Sequence, residues 1–223
     1  GKHPEPQDQF FITQYTDDGW VRGQGIFDAQ PPRFDVDYTE AMGCVGVPLV
    51  SHEIGQYAVY PRLSEIDKYN GTLLPLNFMA VRDDMERKGL LSQAEAWTLA
   101  SGNLAEILYK EEIERALKTP GFSGFQLLDL HDFPGQGTAL VGLLDAFWDS
   151  KGITRASDFR RYCDDVVVLS RHPKAVYTEG DEFVSCLEVA NYSGSALKGV
   201  PVRWELLANG KSVASGVLPA CDI

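Results

Sequence analysis

The sequence has no long hydrophobic run and few basic residues. None of its apolar segments reaches the roughly 18 residues that a membrane-spanning helix needs. Lys and Arg total 20 against 32 Asp and Glu, which gives a formal net charge of −12. Nucleic-acid phosphates and anionic membrane surfaces are bound through basic patches, which this balance disfavours. The composition therefore predicts a globular protein that binds neither nucleic acid nor membrane.

The sequence also lacks a cysteine motif. Its four cysteines form no C-x-x-C pair and its four histidines are scattered, so a structural zinc site is not predicted. We interpret the cysteines as free thiols in apolar sites, although a disulfide between Cys186 and Cys221 stays open because spacing alone does not decide it. We expect neither a metal nor an organic cofactor.

The first 165 residues alternate between helical and strand patterns, which predicts parallel β/α units. The charged run Lys110–Arg115 is interpreted as a solvated helix face. In chain order the predicted elements are a proline-rich loop over about the first thirty residues, a short helix Val36–Met42, a strand from Cys44 to Gly55, helices Asn77–Lys88 and Gln93–Leu117, a strand Gly124–Asp132 and a short helix or lid over Leu140–Asp149.

The pattern changes near residue 165, after which short alternating strands predominate. Asn209-Gly210 between two of these strands predicts a β-hairpin. The alternation predicts an antiparallel, immunoglobulin-like sandwich, although the remaining chain is shorter than the roughly 100 residues of such a domain. The predicted strands are Val166–Leu169, Ala175–Tyr177, Glu182–Tyr192, Val200–Ala208 and Lys211–Val217.

Two predicted strands end in residues that carry chemistry. By the period of two, Glu53 shares a face with Leu49 and Ser51, whereas Asp129 and His131 share a face of the other strand. We expect these polar ends to converge, because functional groups of β/α proteins lie where strands end. A carboxylate there can act as a nucleophile or base, and glycoside hydrolysis uses two. The alternatives stay open that Glu53 is a salt-bridged loop residue and that Asp129 caps a turn.

Three other motifs do not hold up. His52-Glu53-Ile54-Gly55-Gln56 differs from the zinc-protease H-E-x-x-H because Gln56 replaces the second histidine. The glycines around Gln136 follow Pro134 and are not followed by a βαβ unit of suitable length, which argues against a dinucleotide loop. A triad of Ser51, His131 and Asp129 lacks the G-x-S-x-G elbow.

Three segments together resemble glycoside hydrolase family 2, in particular the β-galactosidase-like members of polysaccharide-degrading bacteria. They are Val50–Tyr57 (VSHEIGQY), Leu104–Leu117 with its Tyr109-Lys-Glu-Glu-Ile stretch, and Gly124–Gly137 (GFQLLDLHDFPGQG). The E-x-G motif alone is only moderately specific. The three segments in this order, with one helical region between the two strand ends, are more specific.

The resemblance implies an α/β fold in which residues 1–165 are the C-terminal portion of a TIM barrel. This partial (β/α)8 barrel is followed by an antiparallel, immunoglobulin-like β-sandwich segment at residues 166–223. The family's nucleophile, a glutamate at the end of barrel strand seven, maps onto Glu53. Strand eight then contains Asp129 and His131, which line the sugar subsite.

One departure from the family pattern concerns the acid/base glutamate, which follows an asparagine upstream of strand seven. No such pair precedes Glu53. The resemblance then implies that the chain is a fragment of the full enzyme, and that it associates with the rest of the barrel or with itself.

We therefore expect hydrolysis of terminal β-glycosidic bonds in oligo- or polysaccharides by retaining double displacement. The alternative is a non-catalytic carbohydrate-binding module with a degenerate barrel site. The acidic charge and the β-rich accessory region are compatible with a periplasmic or extracellular enzyme. The expected site comprises Glu53 as nucleophile, His52 and Tyr57 to orient it, and Asp129, His131, Gln136 and Trp148 around the sugar.

Overall fold

The computed structural model describes residues 1–27, 29–31, 33–137 and 140–223. The strands form one three-stranded parallel sheet and two separate two-stranded antiparallel sheets. Short 3-10 helices cover Glu40–Met42, Leu63–Lys68 and Leu91–Gln93. The strands and α-helices are β1 (Phe11–Thr13), β2 (Leu49–Gly55), α1 (Leu76–Arg87), α2 (Ala94–Lys118), β3 (Phe122–Leu128), α3 (Ala156–Phe159), β4 (Val166–Arg171), β5 (Cys186–Asn191), β6 (Arg203–Ala208) and β7 (Lys211–Val217).

The expected fold class, a partial (β/α)8 TIM barrel followed by an immunoglobulin-like sandwich, is wrong. Across the described residues, the parallel strands form an open sheet in the order β1-β2-β3. After residue 165, β4 pairs only with β5 and β6 only with β7, so these strands form two separate two-stranded sheets instead of the larger sheets of the expected sandwich. The local alternation that predicted parallel units is present, but it does not extend into a closed barrel. The division into residues 1–165 and 166–223 stays a prediction.

The first strand, β1, lies in the region that the sequence predicted as loop. It has only three residues, too few for an alternating pattern to emerge. It pairs in parallel with β2, with Phe11 opposite Leu49 and Thr13 opposite Ser51. A strand this short is specified by its pairing partner and by the burial of Phe11 and Thr13 rather than by its own pattern.

The central strand, β2, contains an irregularity that the period of two did not anticipate. Ser51 lies opposite Phe125 and Ile54 opposite Leu127, so β2 holds one residue more than β3 over this stretch. Such a β-bulge reverses the alternation of side chains beyond it. Leu49 and Ile54, which alternation places on opposite faces, both pack against α2 as a result.

The second long helix, α2, confirms the predicted helix to within one residue at each end. The prediction of a solvated charged face is wrong, because Glu111, Glu112 and Glu114 are all buried. The sheet covers one side of the helix, and residues 33–38 cover another. Arg115 pairs with Glu111 at 2.7 Å and also donates to the backbone carbonyl of Arg33.

The apolar core lies between α2 and the parallel sheet, in three clusters. The first joins Leu49 and Phe122 to Ala116, and the third joins Ile54 to Ile113 and Tyr162. The second packs α2 against the segment that follows β3 and contains Val59, Ala105, Tyr109, Leu143 and Ile153. Gly102 makes this contact possible, because a Cβ there would meet Ile153 at 2.5 Å.

The segment Leu140–Asp149 is not helical, contrary to one of the two interpretations of its sequence. Leu144 instead forms isolated bridges to His131 and Ser150. Gly142 lies directly against the backbone of His131 and Asp132, where a side chain would collide. This close approach of two chain segments, set by a glycine, replaces the helix.

Beyond residue 165 the hairpin prediction is confirmed. Asn209 and Gly210 have φ values of +50° and +73° and connect β6 to β7. The predicted strand Ala175–Tyr177 is not a strand, and every residue of β6 is exposed. The four cysteines are free, as interpreted, but Cys44, Cys186 and Cys221 are exposed rather than in apolar sites.

Candidate functional site

Polar side chains collect where the three parallel strands end. Gln14 follows β1, Glu53 lies near the end of β2, and Asp129 follows β3. Crevices at the carboxyl edge of parallel sheets are the usual ligand sites of α/β folds. A cavity of about 450 Å³ opens at this edge. It is lined by Glu53, Gln56, Ala58, Leu128, Asp129, Phe133, Gln136 and Val141.

The Glu53 carboxylate is held by three neighbours. Gln14 Nε2 donates to Glu53 Oε2 over 2.8 Å, and Gln56 Nε2 lies 3.5 Å from the same oxygen. His52 Nε2 lies 3.4 Å from Oε1, and the Glu53 side chain is 35% exposed. The two amides contact one carboxylate oxygen and the His52 ring faces the other, in a side chain that is partly exposed.

The backbone at this point adopts conformations that L residues rarely populate. Glu53 and Gln56 both have a φ of +57°. Only two other non-glycine residues of the described chain have positive φ, Trp148 and the turn residue Asn209. A left-handed residue in a strand costs on the order of 1–3 kcal/mol and is kept where the surroundings enforce it, often at functional sites. The bulge and this conformation together aim Glu53 at the cavity.

His52 lies beside Glu53, as the sequence predicted, and links two strands. Its Nδ1 is 2.8 Å from Gln126 Oε1 on β3, while its Nε2 faces Glu53. A neutral imidazole carries one proton, so a ring that donates from Nδ1 to Gln126 has no proton on Nε2 for Glu53. A doubly protonated ring donates from both nitrogens, to Gln126 and to Glu53. Through these contacts His52 connects β3 to the Glu53 carboxylate.

Tyr57 does not face the cavity with its hydroxyl. The hydroxyl donates to Glu112 Oε2 at 2.7 Å, on the side of α2. Glu112 also accepts from the backbone N–H groups of Gly55 (3.1 Å) and Gly23. Burial raises the pKa of Glu112, although the three donors and Arg22 oppose the shift. Burial and the neighbouring Glu112 raise the pKa of Tyr57, so its hydroxyl stays a donor.

Tyr109 on α2 contacts the backbone of two residues that line the cavity. Its hydroxyl lies 3.0 Å from the backbone carbonyl oxygens of both Asp129 and Val141, and its single proton is shared between them. Its ring lies so close to Gly55 that a Cβ there would meet it at 2.5 Å. Gly55 has a φ of +96°, a second reason for glycine at this position. Tyr109 thus ties the end of β3 to the end of β2.

His131 and Trp148 form a pair apart from the residues that line the Glu53 cavity. Their ring centroids are 4.2 Å apart, and His131 Nδ1 lies 2.6 Å from the carbonyl of Asp132. The structure therefore brings together Glu53, Asp129 and Gln136 in one cavity, with His52 beside it. Tyr57 contacts Glu112 of α2 instead, and neither His131 nor Trp148 belongs to the lining of the cavity.

Sequence reasoning missed several residues of this site. Gln14 is one of them, because the three-residue strand before it has no pattern that predicts a strand end. The sequence offers Gln56 only as the residue that replaces a zinc-ligating histidine, and the charged run predicts a solvated Glu112. The signal for Glu112 was its place in the Tyr109-Lys-Glu-Glu-Ile stretch, where an apolar residue follows two carboxylates on a helix that must pack against a sheet.

Comparisons with known proteins add no family assignment. No protein-family model matches the chain. A search of curated proteins finds no match either. No helix in the described part of the chain is long and apolar enough to cross a membrane. The resemblance to glycoside hydrolase family 2 accordingly rests on the quoted motifs alone.

Proposed function

We propose that this chain carries the nucleophile of a retaining glycoside hydrolase that acts on terminal β-linkages. The observation that carries the proposal is the placement of Glu53. It stands on a β-bulge at the carboxyl edge of a parallel sheet and shares a cavity with Asp129 and two glutamine amides. Retaining glycosidases use a carboxylate nucleophile beside a sugar-binding surface.

The contacts of Glu53 suit this role. Gln14 holds one carboxylate oxygen, so the other attacks the anomeric carbon while the bond to the leaving oxygen breaks. Water then hydrolyses the glycosyl ester and restores the carboxylate. The amides of Gln56 and Gln136 can both donate to and accept from sugar hydroxyls, Asp129 accepts from them, and Phe133 offers an apolar face.

The proposal follows the motif resemblance in assigning the nucleophile to Glu53, and it assigns no proton donor for the leaving oxygen. The experiment is designed so that none is needed. A 2,4-dinitrophenolate leaves without protonation, and a fluorine at C2 of the sugar slows hydrolysis of the glycosyl ester. Formation of the covalent adduct then depends on the nucleophile and the binding surface alone.

The test is covalent labelling with 2,4-dinitrophenyl 2-deoxy-2-fluoro-β-glycosides of galactose, glucose, mannose and xylose. We expect one of them to add a single sugar mass to the intact chain, located by peptide mapping on Glu53. Glu53→Gln should abolish labelling. Glu86→Gln, an exposed carboxylate on α1, is the matched control and should label like the wild type.

Two results would overturn the proposal. One is an adduct that persists in Glu53→Gln, since a different residue would then react. The other is binding of the parent sugars without any adduct, measured by saturation-transfer NMR. That second result favours the non-catalytic carbohydrate-binding module.

A further inference from the structure

A free strand edge lies in a part of the chain apart from the Glu53 cavity. The strand β6 pairs with β7 on one side and, among the described residues, with no strand on its other side. All six of its residues are exposed, including Trp204 at 41% and Leu206 at 51%. An open edge that carries apolar side chains is a template for pairing with a further strand.

The backbone groups of this edge belong to Arg203 and Glu205. Leu218 N–H donates to the Val202 carbonyl, so Val202 is hydrogen-bonded on the β7 side. Because the direction of hydrogen bonding alternates along an antiparallel strand, Trp204 also bonds toward β7, whereas the N–H and C=O groups of Arg203 and Glu205 point away from it. Neither charged side chain takes part in an ion pair among the described residues. The edge therefore offers backbone donors and acceptors together with two opposite charges.

The sequence of this edge is self-complementary about Trp204. A two-fold axis perpendicular to the sheet makes the β6 strands of two copies antiparallel, and one residue then faces its own copy. With Trp204 at that centre, Arg203 of one protomer faces Glu205 of its partner, and the reverse. In the same register Val202 faces Leu206, so apolar residues also face apolar residues.

The neighbouring registers lack this match. A centre at Arg203 sets two arginines against each other, and a centre at Glu205 sets two glutamates against each other. Like charges directly opposite destabilise a sheet. A shift by one residue brings the apolar face of one strand beside the polar face of the other. The register about Trp204 also makes Arg203 and Glu205 a hydrogen-bonded pair, which uses their outward backbone groups.

The acidic character of the chain does not oppose this contact. The net charge is −12, but residues 166–223 hold five Lys or Arg against six Asp or Glu. The region that contains β6 is therefore close to neutral, and most of the negative charge lies earlier in the chain.

We propose that β6 is the interface of a two-fold dimer of this chain, in which two β6 strands pair in antiparallel about Trp204 and form one four-stranded sheet. The partner is a second copy because an edge of the same sequence supplies a glutamate opposite Arg203 and an arginine opposite Glu205 in one register. A single strand edge is a small interface, so we expect a dissociation constant in the micromolar range. This inference does not depend on the proposed function.

The experiment is sedimentation equilibrium of the chain at micromolar concentrations. We expect the mass to rise with concentration from 24.7 kDa toward twice that value. Glu205→Arg and Arg203→Glu each place like charges opposite each other, and each should weaken the dimer at least tenfold. Glu86→Arg changes the net charge as much as Glu205→Arg does, at an exposed position of α1, and should associate like the wild type.

A mixture of the two β6 variants tests the register itself. One variant carries two acidic side chains at this edge and the other carries two basic ones, so their heterodimer restores both opposite-charge pairs. We expect the mixture to dimerise about as tightly as the wild type, with circular dichroism confirming that each variant is folded. A monomer at all concentrations overturns the inference. So does a dimer that Glu205→Arg leaves intact, or a mixture of folded variants that stays monomeric.

Discussion

Glu53 owes its position to a single extra residue in β2. The period of two placed it on one face with Leu49 and Ser51, yet those two residues are fully buried while Glu53 is partly exposed in a cavity. The alternation holds up to Ser51 and is broken between Ser51 and Ile54. A bulge has no periodic signal in a single sequence. The motif therefore identified Glu53 as a candidate, but the direction of its side chain could not be predicted.

Glu65 is the residue with the clearest pH dependence. It is 1% exposed, and neither carboxylate oxygen has a hydrogen-bond partner among the described residues. Burial raises its pKa to about 7, with Asp132 and Asp145 adding to the shift and Lys151 and Lys68 opposing it. The folded state then holds a proton that the unfolded state releases near pH 4.5.

The sign of the effect follows from linkage. The pKa of Glu65 is higher in the folded state than in the unfolded state. Its contribution to the free energy of unfolding is therefore fully present below pH 4.5 and is lost as the pH rises through 7. The loss amounts to about 3 kcal/mol. We expect urea titrations to show that Glu65→Gln gains stability over the wild type between pH 5 and pH 8. Glu86→Gln should show no such trend, and a constant difference for Glu65→Gln would contradict the argument.

At the scale of elements, α2 organises the site through its buried charges. Glu112 accepts hydrogen bonds from the loop after β1, from the end of β2 and from Tyr57. A buried carboxylate with several donors is costly to disturb, because each donor left behind loses its partner. This network fixes Gly55, two residues from Glu53, and so acts on the position of the Glu53 side chain.

Tyr57→Phe tests this network with little change in packing. Loss of the hydroxyl removes one donor to Glu112, and we expect a destabilisation of about 1.5–3 kcal/mol in urea unfolding. Glu53 labelling should slow while the site of labelling stays the same. Tyr60→Phe is the control, since Tyr60 packs on Trp97 by its ring edge. Equal effects of both variants would mean that the Glu112 network has no special role.

The two long helices, α1 and α2, could be predicted from the sequence, whereas the shortest strand and α3 could not. The predicted short helix Val36–Met42 is only a 3-10 turn over Glu40–Met42. The apolar periodicity of α2 runs for 25 residues and sets its ends to within one residue. For β1, three residues offered no pattern. The charged run Lys110–Arg115 was misplaced for a different reason. Its charges are paired or hydrogen-bonded inside the fold, as with Arg115 and Glu111, and a pattern of charges carries no information on such partners.

At the scale of the whole molecule, Arg171 joins the sheet of β4 and β5 to the rest of the chain. It pairs with Asp37 at 3.0 Å and with Glu188 at 2.6 Å, and it donates to the carbonyl of Lys118 at 2.7 Å. These contacts lie at the end of α2 and in the segment after residue 33. These contacts of Arg171 are polar and directional, whereas Val167 and Leu169 of the same strand are buried apolar side chains.

Replacing Arg171 should destabilise the sheet of β4 and β5 and leave the parallel sheet unchanged. We expect Arg171→Leu to speed hydrogen exchange in β4 and β5 by tenfold or more, with the amides of β2 unchanged. Arg161→Leu, which breaks an exposed 3.7 Å pair with Asp158, should change neither. Equal acceleration in β2 would contradict a separate attachment and show one cooperative unit.

The overall architecture was the least predictable level. The alternation of helices and strands correctly indicated a parallel arrangement, which β1, β2 and β3 adopt. The closure into a barrel came from the motif resemblance and not from any property of the chain. Likewise the alternation in β6 and β7 gave a hairpin, but whether a hairpin packs on another sheet depends on contacts that local patterns do not encode.

Phe133 and Gln136 line the Glu53 cavity and also a neighbouring pocket of about 150 Å³ that contains Tyr69 and Phe78, and this shared boundary has a thermodynamic consequence. A ligand that moves Phe133 when it fills one pocket changes the shape of the other. If occupancy of the first raises the affinity of the second by some factor, occupancy of the second must raise the affinity of the first by the same factor. A fluorine-labelled Phe133 would report both binding events.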